Sequence, residues 1–275
     1  MNRFASSRSR RITGLAACVA AAALGLAACN SHSGGSGSTG SGGSGSGGSS
    51  AGASTTPVAN NSSNPGTGTG GSTSVVSASS EPFPIAVGNT WVYKVTTLGG
   101  LKSTDTNKVV AVTPVAGGNE ATLSDTESLN GKTTELQYIF HSDGSITYPS
   151  TQLGSTATIV KGSIVWPPAS VIASGQETHS TVEIAADAGT TKINETAHIT
   201  VKGDGTATVT VPAGTYSTTV VQMTETYTIS GYTGTIVVKT WVAAGVGPVQ
   251  SEAILEELGH SETVSHQELV SFTKG

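Results

Sequence analysis

Cysteine is almost missing from this 275-residue chain: Cys18 and Cys29 are the only two, both within the first thirty positions. Everything after them therefore lacks a disulfide framework, a Cys-based zinc site and a cysteine nucleophile. Arginine is confined even more tightly, to Arg3, Arg8, Arg10 and Arg11. Beyond that point nine Lys face eighteen Asp and Glu, a balance of −9. Such a chain is poorly suited to neutralising phosphates, so nucleic acid is not an expected partner. The same balance argues against docking on an anionic bilayer through a basic patch. Charged residues make up 11% and aromatics 5%. No run of about 18 apolar residues occurs outside the N-terminus, which excludes a multi-span helical membrane protein. Neither a G-X-Y nor a heptad repeat is present, which excludes collagen and coiled coil.

The sequence divides into three parts: 1–28, 29–81 and 82–275. Residues 1–11 are polar and basic, and residues 12–28 are small and apolar. That is the layout of a secretory signal. It ends in Leu26-Ala27-Ala28-Cys29, which resembles the lipobox of bacterial lipoproteins. The resemblance implies lipidation of the Cys29 thiol, cleavage before it, and an acylated amino group that carries palmitate or a similar chain. Two or three acyl chains hold a protein stably on a membrane. A second match, Leu15-Ala16-Ala17-Cys18, leaves an apolar region shorter than the usual 7–15 residues, so Cys29 is preferred. An uncleaved signal anchor is the alternative, although seventeen apolar residues barely span about 30 Å. Ser9-Arg10-Arg11 hints at twin-arginine export. Asn30 is not the Asp that lipoproteins of two-membrane bacteria use for inner-membrane retention, so the resemblance favours the outer membrane.

Residues 30–80 contain 14 Gly, 17 Ser and 6 Thr and no Asp, Glu, Lys or Arg. Such a stretch cannot bury enough apolar surface to offset its ordering cost. A disordered tether is expected, with an r.m.s. span of roughly 40 Å and a stretched reach of about 170–180 Å. Gly66, Gly68 and Gly71 match G-x-G-x-x-G, but no strand precedes them and no helix follows, as phosphate binding requires.

The remaining 194 residues read as strands almost throughout, rich in Val and Thr. Strands are expected at 90–97, 108–113, 121–129, 132–140, 145–148, 156–160 and 178–185. From Lys192, apolar Ala197, Ile199 and Val201 alternate with polar neighbours; Gly203-Asp204-Gly205 then reads as a hairpin turn before Ala207, Val209 and Val211. Val221, Met223, Tyr227 and Ile229 share one face of the next strand, interrupted by Glu225. A strand at 235–242 and a last hairpin, 248–256 with 262–273, complete the set. A short helix over 252–258 is the competing reading there. The fold expected is mainly β, an antiparallel meander forming a strongly curved sheet or open barrel, with a two-sheet sandwich as the alternative. Trp91, Tyr93, Tyr138, Phe140, Trp241 and Phe272 are assigned to the core rather than to a ligand platform.

Three strings carry a further resemblance: Phe83-Pro84-Ile85-Ala86-Val87-Gly88-Asn89-Thr90-Trp91-Val92-Tyr93, Val211-Pro212-Ala213-Gly214-Thr215-Tyr216, and Trp241-Val242-Ala243-Ala244-Gly245-Val246-Gly247-Pro248-Val249. In order and spacing they resemble a loose class of uncharacterised bacterial envelope proteins. The resemblance implies a secreted, lipid-anchored β domain akin to the open-barrel lipoprotein carriers, and it transfers no catalytic residue. Physically, Gly214 and Gly245 or Gly247 suit positive φ or close backbone approach, and Pro212 and Pro248 suit strand edges.

Signals for chemistry are sparse. Ser and Thr surround each of His141, His179, His198, His260 and His266, so proximity in sequence identifies no Ser-His pair. Glu252, Glu256, Glu257, His260, Glu262, His266 and Glu268 could hold a divalent metal across a hairpin, but an acidic surface is the simpler reading. Glu183 and Glu195 could pair across strands. No cofactor and no enzymatic activity are expected. The leading expectation is an envelope lipoprotein, anchored through its lipid, whose β domain binds an apolar small molecule or a protein partner on a concave face lined by residues such as Val221, Met223 and Tyr227. A display module on a leash is the second reading, and a hydrolase the third.

Overall fold

A computed structural model describes residues 83–129, 131–148, 152–153, 157–188, 191–229, 232–257 and 259–275. The expectations for the signal, Cys29 and the tether lie outside these residues.

Strands β1 (Thr90–Thr97), β2 (Lys102–Val115), β3 (Gly118–Glu127), β4 (Lys132–His141) and β5 (Ile146–Tyr148) form a meander. Three short strands follow, β6 (Gln152–Leu153), β7 (Ala157–Lys161) and β8 (Ile164–Trp166), then helix α1 (Ala169–Ser174). A second meander comprises β9 (Thr178–Ala188), β10 (Thr191–Val211), β11 (Gly214–Ile229), β12 (Tyr232–Ala243), β13 (Gly247–Glu257) and β14 (His260–Thr273). All belong to one antiparallel sheet, ordered β6-β7-β9-β10-β11-β12-β13-β14-β1-β2-β3-β4-β5-β8. The β14–β1 pairing, with Trp91 opposite Phe272, joins the two meanders.

Chain connectivity forces this sheet to curl. β7 lies next to one edge and β8 is the opposite edge, yet only Gly162 and Ser163 separate them. Three Cα steps reach about 11 Å at most, so the two edges must approach one another. β8 packs against β9 without pairing to it. The result is an open, strongly curved sheet rather than a two-sheet sandwich.

Period-2 alternation supplies the core. β13 alternates buried and half-buried positions along nearly its whole length, and Val238, Ala253 and Leu269 are among the inward residues. Thr206, Thr208 and Thr210 take the outer face, where hydroxyls remain solvated.

One local expectation is corrected. Gly203-Asp204-Gly205 is not a hairpin turn: β10 runs through it, and Asp204 and Gly205 lie opposite Val220 alone as a bulge. Positive φ at Gly205 accommodates the extra residue. The real turn is at Pro212-Ala213, between Val211 and Gly214. Gly203, just before the bulge, makes room for α1, because a Cβ there would overlap the Ile172 carbonyl oxygen. At the C-terminus the expected strand forms, and 252–257 does not take up the competing helix. Alternation of buried Ala253 and Leu255 with more exposed neighbours overrides local helix propensity there.

Candidate functional site

The inner face holds a cavity of about 60 Å³. Its deep wall comes from consecutive inward positions of the first meander: Trp91 and Tyr93 on β1, Asn107 on β2, Leu123 on β3, Tyr138 on β4 and Tyr148 on β5. Thr240 on β12 closes it from the other meander. All seven residues are buried. The rim is half-buried and mostly aromatic or aliphatic: Phe83, Phe140, Ile146, Trp166, Val242 and Pro248.

Ring contacts and hydrogen bonds fix this wall. Phe83 and Phe272 stack on Trp91, each with centroids 5.1 Å from it. Tyr138 meets Tyr148 edge to face at 4.8 Å, a favoured aromatic geometry. Trp91 Nε1 donates to the Val246 carbonyl at 2.6 Å, and the Tyr93 hydroxyl donates to the Pro248 carbonyl at 2.9 Å. These bonds tie the string opening at Phe83 to the string containing Val246 and Pro248, so two separate sequence signatures build one site. Gly247, at positive φ, lets the turn approach closely: a Cβ there would come within 3.1 Å of the Phe83 ring.

Two hydroxyls in the wall stand out. Tyr138 OH and Thr240 Oγ1 are buried without a hydrogen-bond partner. Buried polar groups are almost always paired in folded proteins, so both are available to a guest. Burial, with the nearby charges of Tyr148, Asp125 and Tyr93, raises the Tyr138 phenol well above the ordinary range, which keeps it protonated.

Beside this wall, on the same inner face, lies a row of buried acids. Asn107 pairs across strands with Asp125, and Asp105 with Glu127. Burial, reinforced by Glu127, pushes the Asp105 carboxyl up to about 7 despite a hydrogen bond from Ser103. Burial, Asp105 and Glu127 push Asp125 up to about 8. One oxygen on each aspartate, Asp105 Oδ2 and Asp125 Oδ1, has no hydrogen-bond partner. A second buried pair sits on β10 and β11. Burial raises Glu195 to about 7 and, together with Glu195, raises Glu225 well above its ordinary value. Alternation alone carries a signal for these acids: Asp105 and Asn107 share the parity of buried Val109 in register with Tyr93 and Trp91, and Glu225 shares that of Met223.

Val221, Met223 and Tyr227 lie on the inner face of β11, with relative exposures of 1%, 1% and 4%. They belong to the packed core and do not line the cavity. Trp91, Tyr93 and Tyr138 are core residues that also form its wall. Glu183 and Glu195 point to opposite faces: Glu183 meets Lys161 at 2.7 Å outside, and Glu195 is buried. Glu252, Glu256, Glu257, His260, Glu262, His266 and Glu268 are all at least partly exposed, and His266 approaches Glu268 at 3.7 Å. Among the described residues no group of three His, Cys, Asp or Glu could hold a metal, and no His lines the cavity.

A solved structure shares this fold. A protein of Parabacteroides distasonis, provisionally named a lipoprotein, superposes with a TM-score of 0.55 at 18% identity, covering 70% of this chain and 99% of that one. A provisionally named exported protein of Bacteroides fragilis, with a YmcC-like fold, gives a TM-score of 0.49 at 19% identity, covering 70% and 98%. No curated protein matches the chain. The family model described as DUF3108-like matches residues 87–257, a span that takes in most of the cavity wall and both buried acid pairs, and the chain belongs to that family.

Proposed function

We propose that this chain is an envelope lipoprotein, anchored through Cys29, whose β domain at 82–275 is a binding module rather than an enzyme. One observation carries the binding reading: an aromatic-walled cavity with two buried hydroxyls lacking partners. Its size sets what it holds. A cavity of about 150 Å³ accommodates benzene, so one of about 60 Å³ is too small to enclose an acyl chain. It takes the terminal group of a small molecule, or one side chain of a partner, while the remainder rests on the half-buried rim.

The lipobox and the Gly/Ser/Thr tether support anchoring and reach, and the lipoprotein name of the Parabacteroides distasonis relative supports an envelope location. Outer-membrane delivery follows from Asn30 in the lipobox resemblance. The test is native mass spectrometry of the chain purified from envelopes, beside a Val242→Phe variant that fills the rim. A stoichiometric adduct present in the wild type and lost in the variant is expected. An adduct retained equally by both would refute the cavity as the site.

A further inference from the structure

The chemistry around the cavity narrows the identity of its guest, granted the binding reading above. No Lys lines the wall, and Asp125 stands directly across β2–β3 from the lining residue Asn107. Residues directly opposite in an antiparallel pair have Cβ atoms roughly 5 Å apart. An anionic guest would therefore face buried carboxyls without a compensating cation. An aliphatic guest would leave Tyr138 OH and Thr240 Oγ1 unpaired, since both are buried and without partners. A guest carrying N–H donors gives both hydroxyl oxygens something to accept. A positive charge on that guest also suits the electron-rich faces of the tyrosine and tryptophan rings.

Size agrees with this chemistry. The cavity of about 60 Å³ is well under the roughly 150 Å³ that holds benzene, so it suits a small head group. That is the size of an ammonium with its first carbons, or of a guanidinium. The apolar rim of Phe83, Phe140, Ile146 and Val242 then fits an aliphatic neck behind the charged head.

We infer that the cavity is a receptor for the protonated amine or guanidine end of a ligand with an aliphatic neck, with Tyr138 and Thr240 accepting its N–H groups and Asp125 and Asp105 as acidic neighbours beside the wall. A bound cation favours the ionised form of a nearby carboxyl, so these acids release a proton to solvent as the counter-charge forms. A free amine and a basic side chain of a partner protein share this chemistry.

The test uses the purified full chain and follows the emission of Trp91 and Trp166, which line the cavity. Three isosteric probes are titrated: butylammonium, 1-butanol and butanoate. Butylammonium should bind at least about tenfold more tightly than 1-butanol, as expected for a desolvated cation over aromatic rings and charge-assisted hydrogen bonds. Asp125→Asn should erase most of that preference by weakening butylammonium binding about tenfold; Asp105→Asn serves the same purpose should the first variant not fold. A blocked lysine tripeptide separates the two sources: binding as tight as butylammonium supports a protein side chain, and much weaker binding supports a free amine. Equal binding of butylammonium and 1-butanol, or tighter binding of butanoate, would overturn the cation assignment and leave the binding module standing. Failure of all three probes to bind would overturn both.

Discussion

Raising the pH should destabilise this domain, and Asp125 should be a principal cause. In an unfolded chain an Asp titrates near 3.9. In the fold, burial first and then Asp105 and Glu127 push Asp125 up to about 8. Between those values the folded state holds a proton that the unfolded state has released. Stability therefore falls as pH rises. The contribution is at its best below pH 4, declines across pH 4–8, and is lowest above 8. A shift of about four units at ~1.36 kcal/mol each gives a loss on the order of 5 kcal/mol, which is large against a total stability of about 5–15 kcal/mol. Asp105 and Glu195, both raised to about 7, act in the same direction. Thermal unfolding followed by circular dichroism at pH 5.0 and 8.5 measures the effect. For a domain of this size 1 kcal/mol shifts Tm by about 2–4 °C, so a drop of roughly 10 °C or more is expected. Asp125→Asn removes the ionisation while keeping the shape, so it should raise Tm at pH 8.5 and flatten the profile, with the remaining slope due to the other buried acids. A wild-type Tm at pH 8.5 equal to or above that at pH 5.0 would refute the reasoning, as would an unchanged slope in Asp125→Asn.

Two further predictions concern the anchor and the helix. Cys29→Ser should abolish incorporation of labelled palmitate and release the protein from the membrane fraction, whereas Cys18→Ser should leave both intact; the reverse pattern would move the anchor to Cys18. Gly203→Val should overlap the Ile172 carbonyl and displace α1 from β10, costing about 1–3 kcal/mol as overpacking at a close contact does; a Tm within about 2 °C of the wild type would show that α1 moves aside freely.

The parts of this protein that follow from its sequence are those governed by local physics. Alternation of apolar and polar residues places β1 at Thr90–Thr97, as the structure has it, and marks the inward faces of β10 and β11. The short connections between successive strands give an antiparallel meander, and positive φ occurs at Gly214, Gly245 and Gly247. Six residues of α1 are too few to show helical period, and its docking depends on the missing Cβ at Gly203, so it was not legible. The Gly203–Gly205 segment has the composition of a turn. Only its pairing with β11 makes it a bulge, because a bulge is defined by what lies opposite.

The cavity is the clearest division between the two levels. The sequence by itself determined that Trp91, Tyr93 and Tyr138 would be buried, since large rings on alternating strands must leave water. It did not place Thr240 and Tyr138 on one cavity, because five strands separate β12 from β4 and the two come together only once the sheet has curled. Nor did it separate filled from unfilled regions of the inner face: Val221, Met223 and Tyr227 follow the same alternation as the cavity wall yet lie in packed core. Alternation fixes which side of a strand a residue faces. What it meets there depends on curvature and on the side chains arriving from distant strands, and only the tertiary structure decides that.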